Sequence, residues 1–103
     1  MSTETYEIRG QKFNWDRDKN LSNIEKHGIP FKNAALTFFD PNAATIDDET
    51  HSRDEERFWL IGLSNDYRLL TVCHCYREDD TVIRLISARK ATKQEEKEYG
   101  GAI

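Results

Sequence analysis

Arg84, Arg89, Lys90 and Lys93 place four cations within ten residues, with no acid among them. The stretch from Val82 to Thr92 reads as a buried strand that carries two arginines and runs into a capped helix. A guanidinium presents a planar fork of donors that pairs with two anionic oxygens at once. The chain as a whole carries a formal net charge of -4. A basic patch on an acidic protein calls for an anionic ligand.

Each cation also has a plainer explanation. Arg84 interrupts the apolar run Val82–Ile86, and an arginine there is either paired with an acid or functional. Arg57 and Arg89 can mark solvated strand ends. Strict alternation sends Arg84 and Arg89 to opposite faces of a sheet. They share a face only if a bulge intervenes, or if Arg89 lies past the strand end.

Proton-transfer chemistry needs a group that titrates near neutrality or a positioned phenol. The candidates are His27, His74 and Tyr99, with Lys26 as a further cation. His27 stands beside Gly28, where a helix-end cation is the physical default. His74 points either into a site or out to solvent. Tyr99 in a last helix is equally a core anchor. His51 lies in an acidic loop and is expected to be solvated. Cys73-His74-Cys75 has zinc-ligating atoms, but adjacent strand residues face opposite ways and no second cysteine pair exists. No metal and no cofactor is expected. The two cysteines are expected to be free thiols.

The elements that position these groups follow from patterning. Tyr6–Ile8 and Lys12–Trp15 flank Gly10 as a hairpin. Asp16 stands at an N-cap position, Leu21 and Ile24 give the next helix a narrow apolar stripe, and Gly28 stops it. Pro30 opens a second helix whose Phe31, Ala34, Ala35 and Phe38 recur at the spacing of one buried face. Ala43–Ile46 is a short strand. Asp47–Glu56 holds six acids against one arginine and reads as a loop. Strands over 57–63, 68–77 and 81–89 follow, joined by the turns at Asn65-Asp66 and Glu78-Asp79-Asp80. Thr92 and Glu95 form a capping-box pattern that starts a helix to Tyr99, ended by Gly100-Gly101. The expected fold is α+β: an antiparallel sheet of about four strands, two N-terminal helices and one C-terminal helix, all on one face.

With 103 residues, the chain is expected to form a single domain over 1–103, with a core from 6 to 99 and residues 1–5 frayed. Mean hydropathy is -0.82, but eleven percent aromatics argue against disorder. No apolar run reaches the length of a membrane span, and Met1–Glu4 has no leader-like character. A cytoplasmic protein without a membrane partner is expected. No helix carries a base-reading basic face, so operator DNA is not expected to be bound by this chain alone.

Two segments together resemble the BrnT family of toxins. One is Phe13-Asn14-Trp15-Asp16-Arg17-Asp18-Lys19-Asn20 with Lys26-His27-Gly28-Ile29-Pro30-Phe31, Ala34-Ala35 and Phe38-Phe39-Asp40-Pro41. The other is Glu56-Arg57, Gly62, and Arg84-Leu85-Ile86-Ser87-Ala88-Arg89-Lys90-Ala91 with Glu95 and Tyr99. The resemblance runs from about residue 13 to 99. It implies a RelE-like fold and an endoribonuclease that halts translation. It also implies a BrnA-type ribbon-helix-helix antitoxin as partner, with operator DNA reached only through that antitoxin. Metal-independent cleavage of RNA uses the ribose 2′-OH as nucleophile. It needs a proton acceptor, cations for the phosphorane and a donor for the 5′-oxygen. On that reading Arg84, Arg89 and Arg57 supply charge, and His27, His74 and Tyr99 are the proton-transfer candidates. Lys26, Lys90 and Lys93 hold the RNA. The competing class is a non-catalytic RelE-like binding module that acts only through its antitoxin complex.

Overall fold

The computed structural model describes residues 2–47 and 55–100. Most of the acidic segment, His51 included, and Gly101 lie outside the described residues. Two strands, β1 (Thr3–Ile8) and β2 (Gln11–Asp16), form the N-terminal hairpin. Arg9 and Gly10 turn it with positive φ of 50° and 82°, as a tight hairpin turn demands. Strand β1 takes in Thr3, Glu4 and Thr5, which were expected to fray. Each pairs with β2, and Trp15 Nε1 donates to Glu4 Oε1 at 2.9 Å.

Helix α1 (Arg17–His27) starts where expected, with the Asp16 side chain accepting from Asp18 N. Gly28 ends it in the left-handed region at φ 68°, its N–H returning to the Ile24 carbonyl. The apolar stripe is a correction: Leu21 and Ile24 are 53% and 39% exposed, and the buried residue of α1 is Asn23. Helix α2 (Phe31–Leu36) follows Pro30, which sits at the N-cap, and a 3₁₀ turn (Thr37–Phe39) extends it. Strands β3 (Ala44–Asp47), β4 (Phe58–Leu63), β5 (Leu69–Arg77) and β6 (Val82–Lys90) follow. Helix α3 (Lys93–Glu96) is shorter than expected, and its Thr92–Glu95 capping box is formed.

The described strands make one six-stranded sheet in the order β1-β2-β6-β5-β4-β3. This corrects the expected four-stranded antiparallel sheet in two ways. The hairpin joins the sheet rather than standing apart, and it does so through a parallel β2–β6 pairing, Phe13 opposite Ile83 and Asn14 opposite Arg84. The sheet is therefore mixed, and the other pairings are antiparallel. Sequence pattern marks strands but not their neighbours, so a crossover of this length leaves no local trace.

Phe13, Trp15, Leu70, Val72, Ile83, Leu85 and Ala88 face Ile29, Phe31, Ala34 and Ala35 in the core. Gly62 lets the 3₁₀ turn approach closely: a Cβ there would lie 2.9 Å from the Thr37 carbonyl oxygen. Alternation turns Thr71, Cys73 and Cys75 to the second face of the sheet. Helix α3 lies on that second face, since Glu95 accepts from Thr71 Oγ1 at 2.9 Å. Placing all three helices on one face is thus corrected as well.

Candidate functional site

The second face is organised by one irregularity in β6. Cys73 pairs with Ser87 and His74 with Leu85, which leaves Ile86 as an extra residue. A bulge of this kind resets the alternation. Leu85 and Ala88 both stay with the core, so Arg84, the bulge pair Ile86-Ser87, and Arg89 all belong to the second face.

The bulge has a second consequence. Strand β2 pairs with β6 only as far as Arg84, so the outer edge of β6 beyond it lacks a strand neighbour among the described residues. Asn23 of α1 takes that place. Its Oδ1 accepts from Ala88 N at 3.1 Å and its Nδ2 donates to the Ile29 carbonyl at 2.8 Å. Both ends of the buried amide are satisfied, and α1 is fixed beside the bulge. The space between them is a groove of about 210 Å³, lined by Lys19, Ser22, Asn23, Lys26, His27, Ile86 and Ser87.

Arg84 Nη1 lies 3.4 Å from both Thr3 Oγ1 and Asn14 Oδ1, at the long limit of hydrogen bonding. No carboxylate of the described residues pairs with it. Arg84 stands opposite Cys75 in the register. Burial pushes the Cys75 thiol up, while Arg57, Arg84 and Lys19 draw it down without prevailing. Among the described residues the cation in contact with that thiol is Arg77, whose Nη1 lies 3.1 Å from Cys75 Sγ, and burial keeps the thiol protonated near neutral pH.

Arg89 is committed. Its Nη1 and Nη2 donate to Glu95 Oε1 and Oε2 at 2.7 and 2.8 Å, and its guanidinium lies 5.2 Å from the Trp59 ring centre. The Arg89 hydrogen bonds, aided by Thr92 and Thr71, hold the Glu95 carboxyl at about 2 against burial. Glu95 is thus a permanent carboxylate near neutral pH, not a proton donor.

Among the sequence candidates, Arg57, Arg84, Arg89, Lys26 and His27 belong to this face or its groove. His74 does not. It is fully buried on the core side, among the Phe38, Phe58 and Tyr76 rings at 4.7, 5.9 and 5.5 Å. Its Nε2 has no partner among the described residues, and burial lowers its pKa to about 4. Tyr99 is also elsewhere: its hydroxyl donates to Asp40 Oδ2 at 2.5 Å. Burial would raise Asp40, but bonds from Tyr99, Leu63 and Asn42 hold it low, so the pair is an anchor. Lys90 and Lys93 are exposed at the end of β6 and the start of α3. Sequence reasoning missed Lys19, Asn23 and Glu95's grip on Arg89. The signal for Lys19 was its spacing: positions 19, 22, 23, 26 and 27 share one helical face. Among the described residues no group of His, Cys, Asp or Glu is gathered as a metal site, and no helix is long and apolar enough to cross a membrane.

Residues 15–95 match the family described as ribonuclease toxin, BrnT, of type II toxin–antitoxin systems. A solved structure of the Brucella abortus ribonuclease toxin BrnT superposes with a TM-score of 0.59 at 23% identity. The superposition covers 77% of this chain and 94% of that one. No curated protein matches the chain. Fold and family match define the class, a ribonuclease toxin of a type II toxin–antitoxin system. Within that class, the chain belongs to the BrnT family. Membership brings an RNA substrate and an antitoxin partner.

Proposed function

We propose that this chain, acting as a single domain, cleaves RNA without a metal ion and so halts translation in the cytoplasm. The supporting observation is the bulge-ordered face: Arg84 without a carboxylate partner among the described residues, Arg57 placed by alternation on the face of Trp59 and Cys73, and a cationic groove beside them. In this reading the ribose 2′-OH attacks the adjacent phosphorus. The bond to the 5′-oxygen breaks, leaving a 2′,3′-cyclic phosphate and a 5′-hydroxyl. Arg57 and Arg84 neutralise the charge that builds on the phosphorane oxygens. His27 is the groove's candidate for proton transfer. Lys26 holds the strand. Lys90 and Lys93 extend the cationic edge, and Arg89 orders the face through Glu95 and Trp59. Neither His74 nor Tyr99 has a catalytic part in this reading.

The proposed partner is a BrnA-type ribbon-helix-helix antitoxin, with operator DNA contacted through it. The test is incubation of the purified chain with total and ribosome-free RNA in EDTA, alongside Arg84→Ala. Cleavage by wild type that the variant lacks supports the assignment. The Arg89–Glu95 pair favours a second reading, in which the arginines are structural and the chain is a non-catalytic binding module. Equal toxicity of wild type and a folded Arg84→Ala variant on expression would sink the role given to Arg84.

A further inference from the structure

The groove beside α1 contains a cation that helix electrostatics does not explain. Lys26 and His27 occupy the last turn of α1, where a positive charge meets the negative end of the helix dipole. Lys19 is the third residue of the same helix, at the positive end, where a cation is unfavourable. It is exposed, and no salt bridge joins it to a described residue. Among the described residues no acid lines the groove, whose other polar lining is the Ser22 and Ser87 hydroxyls and the Asn23 amide. Asn23 is already spent on Ala88 and Ile29, so it fixes the wall and does not bind. Ile86 and Ser87, which line the groove together with Lys19, follow Arg84 on the same face of β6, so the groove adjoins the arginine.

We propose that Lys19 binds a backbone phosphate of the RNA and joins the Arg57–Arg84 centre to the α1 groove. The strand then runs from the arginines past Lys19 to Lys26 and His27. Seven residues separate Lys19 from Lys26, roughly 10 Å along the helix. The cations thus form a track rather than a point. The phosphodiester backbone is the ligand class this lining suits: spaced cations and hydroxyls, with no Phe, Tyr or Trp among the described lining residues. This inference rests on the nuclease reading for its substrate, not for its chemistry.

The test uses a 2′-O-methyl oligoribonucleotide, which binds but has no free 2′-OH to attack. Its affinity is measured by fluorescence anisotropy over a range of salt concentrations, for wild type, Lys19→Ala, Lys19→Arg and Lys32→Ala. Lys32 lies over the Tyr6 ring, away from the groove, and serves as the control. Losing one phosphate contact lowers the slope of log affinity on log salt by about 0.7. Lys19→Ala is expected to show that loss with an unchanged melting temperature. Lys19→Arg should keep the slope, and Lys32→Ala should match wild type. Wild-type slope and affinity in Lys19→Ala would overturn the proposal. Cleavage of ordinary RNA is assayed in parallel. A wild type that cleaves while Lys19→Ala binds normally removes the track and leaves the nuclease. Lys19-dependent binding without cleavage leaves the track and removes the nuclease.

Discussion

Arg84 and Arg89 share one face of the sheet although five positions separate them on a single strand, because Ile86 is an extra residue between them. Their fates differ on that face. Glu95 neutralises Arg89, whereas Arg84 has only the long contacts to Thr3 and Asn14 among the described residues.

Arg84 is therefore expected to carry the larger catalytic effect. Removing one charge-stabilising donor at a developing oxyanion costs about 10²–10³ in rate. Arg84→Ala should lose cleavage by about that factor in EDTA, with a far-ultraviolet spectrum like that of wild type. A loss under threefold would exclude Arg84 from the transition state.

The Glu95 carboxylate is a stability element with a defined pH window. Its folded value of about 2 lies below the ordinary 4.5, so the stabilisation is complete above about 4.5 and is lost as pH falls toward 2. Glu95→Gln should flatten stability against pH over that window and lower urea stability at pH 7 by about 1–3 kcal/mol. A variant whose pH curve overlays wild type from 5 to 2 would contradict this.

His74 shifts in the same direction but acts through its neutral form. Its folded pKa of about 4 lies below the unfolded 6.5, so the unfolded chain binds the extra proton between those values. Stability should decline as pH falls from 6.5 to 4. His74→Phe should remove that dependence, eliminate the unpartnered Nε2 and leave RNA cleavage unchanged. Loss of cleavage in a folded His74→Phe protein would place the imidazole in the chemistry after all.

Asn23→Ala should affect stability and function together. It orphans the buried Ala88 N–H and the Ile29 carbonyl, at about 1–3 kcal/mol for each unsatisfied group. It also frees α1 from the bulge, so RNA affinity should fall although Asn23 contributes no charge. Unfolding in urea and oligonucleotide binding on the same preparation measure both. Intact affinity in a destabilised variant would show that the groove does not depend on this anchor.

Local chemistry was legible in the sequence where one residue type has one physical use. Asp16 and Gly28 bounded α1, and Thr92 with Glu95 announced the capping box. The Phe31, Ala34, Ala35 spacing identified the buried face of α2. Long-range pairing was not legible. Nothing in Lys12–Asn14 says that Val82–Arg84 will lie alongside in parallel. The bulge was reachable only as a condition: two arginines of opposite parity cannot share a face without one. Leu21 and Ile24 misled because an apolar pair at helical spacing is the usual mark of a buried stripe. Here the buried position went to an amide that completes a strand edge.

The parallel seam between β2 and β6 also sets when the molecule comes into being during synthesis. Strand β6 follows the other five in the chain, yet it lies between the N-terminal hairpin and β5. Until residues 82–90 leave the ribosome, the hairpin has no neighbour within the sheet, α1 has no edge to cap, and Arg84 has no sheet to stand on. A partly translated chain therefore carries none of the assembled cationic face. The last strand to be made is thus the one that joins the two halves of the sheet.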